Sequence, residues 1–203
     1  MVRFAVIGCG RISQVHLKAL SEAKNAQLCA VCDIIEEKAK KCALEYNVPY
    51  YLDIETMLKE QKPDAALIGT PSGMHGEHAE ICAVNGVNVL CEKPLEITTE
   101  KIDRMIRVCE ENHVKLGGIF QRRTYTAAVA SKNAINSGNI GTPVFCSGTF
   151  NYSRTQEYYD SDAWRGTWAL DGGGALMNQG IHGVDVLQYL VGPVKSVYGR
   201  CKT

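Results

Sequence analysis

The chain has 203 residues, and its 22 Lys and Arg balance 22 Asp and Glu, so the formal net charge is zero. Hydrophobic residues make up 45%, which allows a sizeable core, and the length suits one domain and part or all of a second. No basic block offers duplex nucleic acid a counterion-releasing surface, and no apolar run approaches the roughly 20 residues of a membrane-spanning helix, so neither partner is expected.

The start, Val2-Arg3-Phe4-Ala5-Val6-Ile7-Gly8, reads as a buried strand. It lacks the basic region and small-residue cleavage site of a secretory signal, and a soluble, cytoplasmic protein is expected. Further strands are predicted at 27–33, 65–69, 88–92 and 115–120, with a shorter piece at 50–51. Helices are predicted at 13–22, 36–46, 54–60, 75–84 and 99–112. Near-continuous apolar strands joined by helical crossovers mean a parallel sheet covered on both faces. The fold class is therefore α/β, with a doubly wound domain over residues 1–122.

The texture changes over 123–203. A helix is predicted at 125–137, broken by Ser137-Gly138-Asn139. Residues 144–154 alternate as a long strand would. A polar, aromatic stretch from Tyr158 to Trp168 leads into Asp171-Gly172-Gly173-Gly174. A helix follows at 175–190, closed by Gly192-Pro193, and then a strand at 194–201. Two strands and a helix cannot close a sheet domain, so a fragment of a longer protein is expected.

Nine cysteines give an odd count. Most, such as Cys82, Cys91 and Cys109, sit in apolar runs, where a free thiol packs as a small hydrophobe. Cys29 and Cys32 have the C-x-x-C spacing, but within a strand-like run, and no second such pair exists. Core packing is their expected role, and no metal site is expected.

The motif Gly8-Cys9-Gly10-Arg11-Ile12-Ser13 follows an apolar strand and opens a helix. Gly8 allows the tight turn, Gly10 lets backbone approach a pyrophosphate, and Ser13 is small enough for close helix–strand packing. The helix aims its free N–H groups and positive dipole end at the phosphates. Asp33 follows Gly10 by 23 residues, a spacing that suits a carboxylate accepting bonds from the adenosine ribose hydroxyls. Such a carboxylate repels a 2′-phosphate, which favours NAD over NADP, although Arg11 could attract that phosphate.

Ligands of an open α/β sheet lie beyond the carboxyl ends of its strands. There the chain places Asp33, Thr70-Pro71-Ser72, Glu92-Lys93 and Gln121-Arg122. His75 can line the cofactor site or serve only its helix terminus. Lys93, before Pro94, can exchange a proton if desolvation lowers its pKa. In the second half, Asn178, His182 and Asp185 recur at i, i+4 and i+7 and share one helical face. His182 is either a second acid/base group or a packed, satisfied histidine. Trp164, Arg165 and Trp168 form either a surface for a sugar or anion, or an aromatic loop anchor.

These motifs together resemble the glucose–fructose oxidoreductase / inositol dehydrogenase / MocA family along the whole chain. The matching residues are Gly8-Cys9-Gly10-Arg11-Ile12 followed by His16, Thr70-Pro71-Ser72 with His75, Glu92-Lys93-Pro94, and Gly172-Gly173-Gly174 leading to Gly180-Ile181-His182 and Asp185. The resemblance implies a Rossmann domain and a C-terminal α/β domain with an open, mostly antiparallel sheet, often pairing into homodimers or homotetramers. It implies NAD-dependent oxidation of a secondary hydroxyl on a sugar or polyol, with Lys93 and His182 flanking the reacting group. The expected cofactor contacts are Gly8, Gly10, Arg11, Ile12, Asp33, Thr70, Pro71, His75, Glu92 and Lys93. The expected substrate contacts are Arg122, Trp164, Arg165, Asn178 and His182. Asn178 stands where the common family pattern has aspartate, so it cannot act as a carboxylate partner of His182. The Asn-Gln-x-x-His version, with Trp-Arg-Gly-Thr-Trp upstream, resembles the branch acting on nucleotide-linked N-acetylhexosaminuronates. A non-catalytic dinucleotide-binding sensor and a dihydrodiol-type reductase are the alternatives of the same fold.

Overall fold

The computed structural model describes residues 1–200. Its first part is a six-stranded sheet in the order β3-β2-β1-β4-β5-β6, with every neighbouring pair parallel. The strands are β1 (Val2–Ile7), β2 (Ala26–Cys32), β3 (Tyr50–Tyr51), β4 (Ala65–Ile68), β5 (Asn88–Glu92) and β6 (Leu116–Ile119). The crossovers are α1 (Arg11–Glu22), α2 (Glu36–Tyr46), α3 (Ile54–Gln61), α4 (His75–Val84) and α5 (Thr99–Glu111). Every strand and helix expected up to residue 122 is present, with ends displaced by at most two residues.

Strand alternation explains why both faces are covered. Ala5 and Ile7 of β1 pack with Met57, Ile68, Ala79, Cys82 and Met105, the side of α3, α4 and α5. Val6, between them, points the other way and packs with Leu17, Val31, Cys42 and Leu67 under α1 and α2. Helix starts follow local capping chemistry. Asp53 accepts the Thr56 N–H at 2.8 Å at the head of α3, and Thr98 accepts the Lys101 N–H at 3.4 Å at the head of α5. Cys29 and Cys32 lie buried on β2, and Cys82 lies buried on α4. Burial pushes the Cys32 and Cys82 thiols up to about 12, as inert core thiols should be.

The second part is less regular. It holds α6 (Thr126–Asn136), α7 (Gln156–Asp160), a widened π turn at Leu176–Gly180, and α8 (Ile181–Val191). The helix predicted at 175–190 therefore opens as a π turn. The strand predicted at 144–154 does not form, and none forms over 194–200; residue 201, the end of that second expectation, lies outside the described residues. Alternation needs a partner ladder to become a strand, and no strand among the described residues lies alongside to supply one. Val144 and Phe145 stand 97% and 85% exposed. The antiparallel sheet implied for this part is accordingly not formed by the described residues.

Close backbone approach docks the second part on the first. Gly73 donates its N–H to the Leu170 carbonyl at 2.9 Å, and a Cβ on Gly73 would stand 2.4 Å from the Ala169 carbonyl oxygen. Gly172, at φ +78°, leaves its missing Cβ to the Ile97 side chain. No helix among the described residues is long and apolar enough to cross a membrane.

Leu17 is fully buried between α1 and the sheet. Leu17→Ala is expected to destabilise the chain by about 2–5 kcal/mol, read as a lowered midpoint in urea unfolding.

Candidate active site

The chain runs outward in one direction from β1 through β2 to β3, then returns to place β4 on the other side of β1. The crevice at that switch point is where α/β sheets bind ligands. Gly8 sits there at φ +91°, and a Cβ on it would meet the Gly69 carbonyl oxygen at 2.8 Å. Only glycine fits both demands. Gly10 begins α1 without a side-chain cap, and space around its missing Cβ is open. Ser13 is fully buried and its hydroxyl donates to the Gly8 carbonyl, locking the loop onto the helix. Arg11 and Ile12 are exposed at the first turn.

Asp33 closes this corner. One carboxylate oxygen accepts the Cys9 N–H at 2.7 Å and the other accepts the Ile35 N–H at 2.8 Å. Each oxygen keeps a further lone pair for a hydroxyl donor. An open glycine loop, uncapped helix N–H groups and a carboxylate at the end of β2 fit the pyrophosphate and ribose of an adenine dinucleotide.

The neighbouring strand ends are tied together from behind. Thr70 and Pro71 are half-buried after β4, and the Thr70 hydroxyl contacts His78 Nδ1 at 3.0 Å. His75 is placed differently from the cofactor-lining position expected of it. It is 1% exposed. Nδ1 lies 2.7 Å from the Pro94 carbonyl and Nε2 lies 2.9 Å from the Thr70 carbonyl. Its ring therefore braces the two loops from beneath rather than facing a ligand, and burial pushes its pKa down despite those carbonyls.

Glu92 is buried at the end of β5. It contacts His16 Nε2 of α1 at 2.8 Å through one oxygen and accepts the Lys93 N–H at 3.0 Å through the other. Burial pushes its carboxyl up, but His16 and Lys93 outweigh burial and the net direction is down. Lys93 turns its ammonium to the opposing half, where Nζ donates to the Asn178 carbonyl at 2.8 Å. Burial pushes the Lys93 pKa down. Glu92 and Asp171 oppose that shift, and Arg122 and Arg165 add to it.

His182 is 7% exposed on α8. Its Nδ1 is buried with no hydrogen-bond partner among the described residues. Burial, then Lys93 and Arg122, push its pKa down to about 4. The expected helical face of Asn178, His182 and Asp185 is divided by the π turn, a feature frequent at functional sites. Asn178 donates its side-chain amide to Asp171 at 2.9 Å, whereas Asp185 holds Arg123 through Nε at 2.9 and 3.0 Å and through Nη2.

Two expected substrate residues form one stacked group. The Arg165 guanidinium lies 4.8 Å from the Trp164 ring and 4.5 Å from the Tyr158 ring. It also donates to the Tyr158 hydroxyl at 2.8 Å and pairs with Asp162. Trp168, 83% exposed, stands outside that stack. Arg122 is half-buried and lies 6.0 Å from the Tyr152 ring. Among the described residues no group of three or more His, Cys, Asp or Glu side chains converges as a metal site.

Sequence reasoning missed Asp171 and the Asp185–Arg123 pair, and gave His16 no contact of its own. Asp171 is 2% exposed and accepts from the Gly166 N–H at 2.8 Å as well as from Asn178. Its only local signal is its place just before the glycine triplet.

Residues 2–120 match the family model described as the oxidoreductase family, NAD-binding Rossmann fold. Residues 129–203 match the GFO/IDH/MocA C-terminal domain. The chain belongs to this oxidoreductase family. It is 37% identical to the WlbA dehydrogenase of Bordetella pertussis, whose crystal structure holds NADH and UDP-GlcNAcA; the TM-score is 0.89 over 97% of this chain and 60% of that one. It is 30% identical to the scyllo-inositol 2-dehydrogenase (NAD(+)) of Bacillus subtilis over 98% of this chain and 57% of the relative. It is 29% identical to the D-xylose 1-dehydrogenase [NADP(+)] of Haloarcula marismortui over 94% of this chain and 54% of the relative. The chain spans about half the length of the curated relatives it matches.

The depressed His182 pKa has a consequence for stability. Between its ordinary value of 6.5 and its folded value of about 4, the unfolded chain binds a proton that the folded chain does not. His182 is therefore expected to make stability fall as pH drops from about 6.5 to about 4. His182→Gln is expected to flatten that slope, measured by urea unfolding across this range.

Proposed function

We propose that this chain carries the cofactor site and the proton-handling groups of an NAD-dependent dehydrogenase. The reaction moves a hydride between a secondary hydroxyl of a sugar-type substrate and the nicotinamide. The carrying observation is the pairing of a desolvated Lys93 with a His182 whose buried Nδ1 has no partner, at the carboxyl edge of a sheet whose glycine loop fits a dinucleotide.

Bound NAD would supply the hydride acceptor. The uncapped N–H groups of α1 would receive the pyrophosphate. Asp33 would accept from the ribose hydroxyls and repel a 2′-phosphate. His182 is neutral at pH 7 and would meet the reacting hydroxyl through its imidazole ring. Lys93, with its pKa lowered by burial, would take the hydroxyl proton on Nζ as the hydride leaves. The Asn178 carbonyl holds that nitrogen in place.

The substrate class we favour is an anionic sugar, a nucleotide-linked uronate in the first instance. Arg122 and Arg165 both act on Lys93, and the Trp164–Arg165–Tyr158 stack presents flat rings beside a guanidinium. Guanidinium suits carboxylate or phosphate, and rings suit sugar or base faces. The similarity to WlbA supports the same reading.

We also propose a division into a nucleotide domain over 1–122 and part of a substrate and assembly domain over 123–203, in keeping with the two family matches. The exposed Val144, Phe145, Val197 and Tyr198 suit a homodimer or homotetramer contact. Buried free thiols suit the reducing cytoplasm.

Steady-state kinetics of Lys93→Ala and His182→Ala with NAD and a panel of sugars, polyols and nucleotide sugars test the mechanism. Each variant is expected to lose about 100-fold or more in kcat. Turnover near wild type in both, or no NADH formation by wild type on any substrate of the panel, overturns it. Cofactor preference is tested by titration. NAD is expected to bind more tightly than NADP, and Asp33→Ala is expected to narrow the gap.

A further inference from the structure

Asp171 is a buried acid that the proposed mechanism does not use. Its carboxylate bonds only to neutral donors in the contacts seen, the Gly166 N–H at 2.8 Å and the Asn178 side-chain amide at 2.9 Å. A buried carboxylate so placed projects its field into the surrounding low-dielectric site. Its direction of reach is set by Asn178. The same residue that donates its amide to Asp171 offers its backbone carbonyl to Lys93 Nζ at 2.8 Å. Asp171, Asn178 and Lys93 thus form a line of two hydrogen bonds across the junction of the two halves.

We infer that Asp171 is a positioning residue for Lys93, fixing through Asn178 where the ammonium points and through its own charge how readily that ammonium gives up a proton. The loop around it is built to hold it. The Asp171 N–H donates to the Thr167 carbonyl at 3.0 Å. Gly172, at positive φ against Ile97, turns the chain directly after it.

The other charged or titratable groups facing Lys93 are Glu92 from its own strand end, Arg122 after β6, Arg165 from the aromatic loop and the neutral His182 from α8. Glu92 is already engaged with His16, and the two guanidinium groups favour the neutral amine. Asp171 is the counterweight from the opposing half. Without it, burial and two arginines act on Lys93 against Glu92 alone.

The inference rests on Lys93 as the proton-handling group, but its test does not depend on turnover. Lys93 Nζ is titrated by NMR in the full chain labelled with [15N]lysine, the signal being assigned with Lys93→Arg. Asp171→Asn is expected to lower the midpoint by about one pH unit or more, the usual effect of losing a nearby opposite charge. Asp171→Glu, which keeps the charge, is expected to stay close to wild type. An unchanged midpoint in a folded Asp171→Asn overturns the inference, as does an equal shift in both variants, which would mark a packing role only. Should Asp171→Asn not fold, Asp171→Ser removes the same charge with a smaller side chain: a lowered midpoint supports the inference and an unchanged one overturns it. Failure to find any turnover would sink the dehydrogenase reading while leaving the titration to decide the role of Asp171.

Discussion

An ammonium group taken out of water and set against a backbone carbonyl is the contact on which this site turns. Lys93 Nζ meets the Asn178 carbonyl across the junction between the sheet and the second half of the chain. A buried ammonium is costly unless neighbours supply hydrogen bonds and opposite charge. Here Glu92 and Asp171 supply the opposite charge, whereas Arg122 and Arg165 act with burial toward the neutral amine. The net direction is down: burial outweighs the opposite charges, and the ammonium gives up its proton more readily than a lysine in water.

That balance depends on the two halves staying docked. Two glycines make the approach possible: Gly73 against the Ala169–Leu170 backbone, and Gly172 against Ile97. The π turn at Leu176–Gly180 then sets Asn178 toward Asp171 and Lys93, while His182, at the start of the regular α8, keeps an unpartnered nitrogen. From the other side, His16 anchors Glu92 to α1. The helix that begins at the glycine loop is thereby linked to the turn that carries Lys93. The glycine loop and Lys93 share one frame.

Much of this was legible along the chain because the information is local. Apolar runs of strand length alternating with amphipathic helical stretches placed every element of the sheet domain. The glycine loop, Asp33 and Glu92-Lys93 could be named because each sits at a predictable strand end. Residues 144–154 misled because alternation marks a chain able to be a strand, whereas a strand also needs a neighbour to bond. His75 misled for a related reason. A helix-start position beside the crevice says nothing about which way the ring points, and this ring points inward to two carbonyls.

By itself, then, the sequence determined the parallel, doubly wound sheet and which polar and glycine residues stand at the carboxyl edge of its strands. Those follow from periodicity, turn geometry and functional groups, which are properties of short stretches of chain. Tertiary structure alone decided that Asp171 bonds to Asn178 and that Asn178 receives Lys93. It also decided that His16 holds Glu92 and that Asp185 is taken by Arg123 rather than by the site. Charge balance and desolvation depend on which groups meet across 60 to 85 residues of chain, and only packing decides which groups meet.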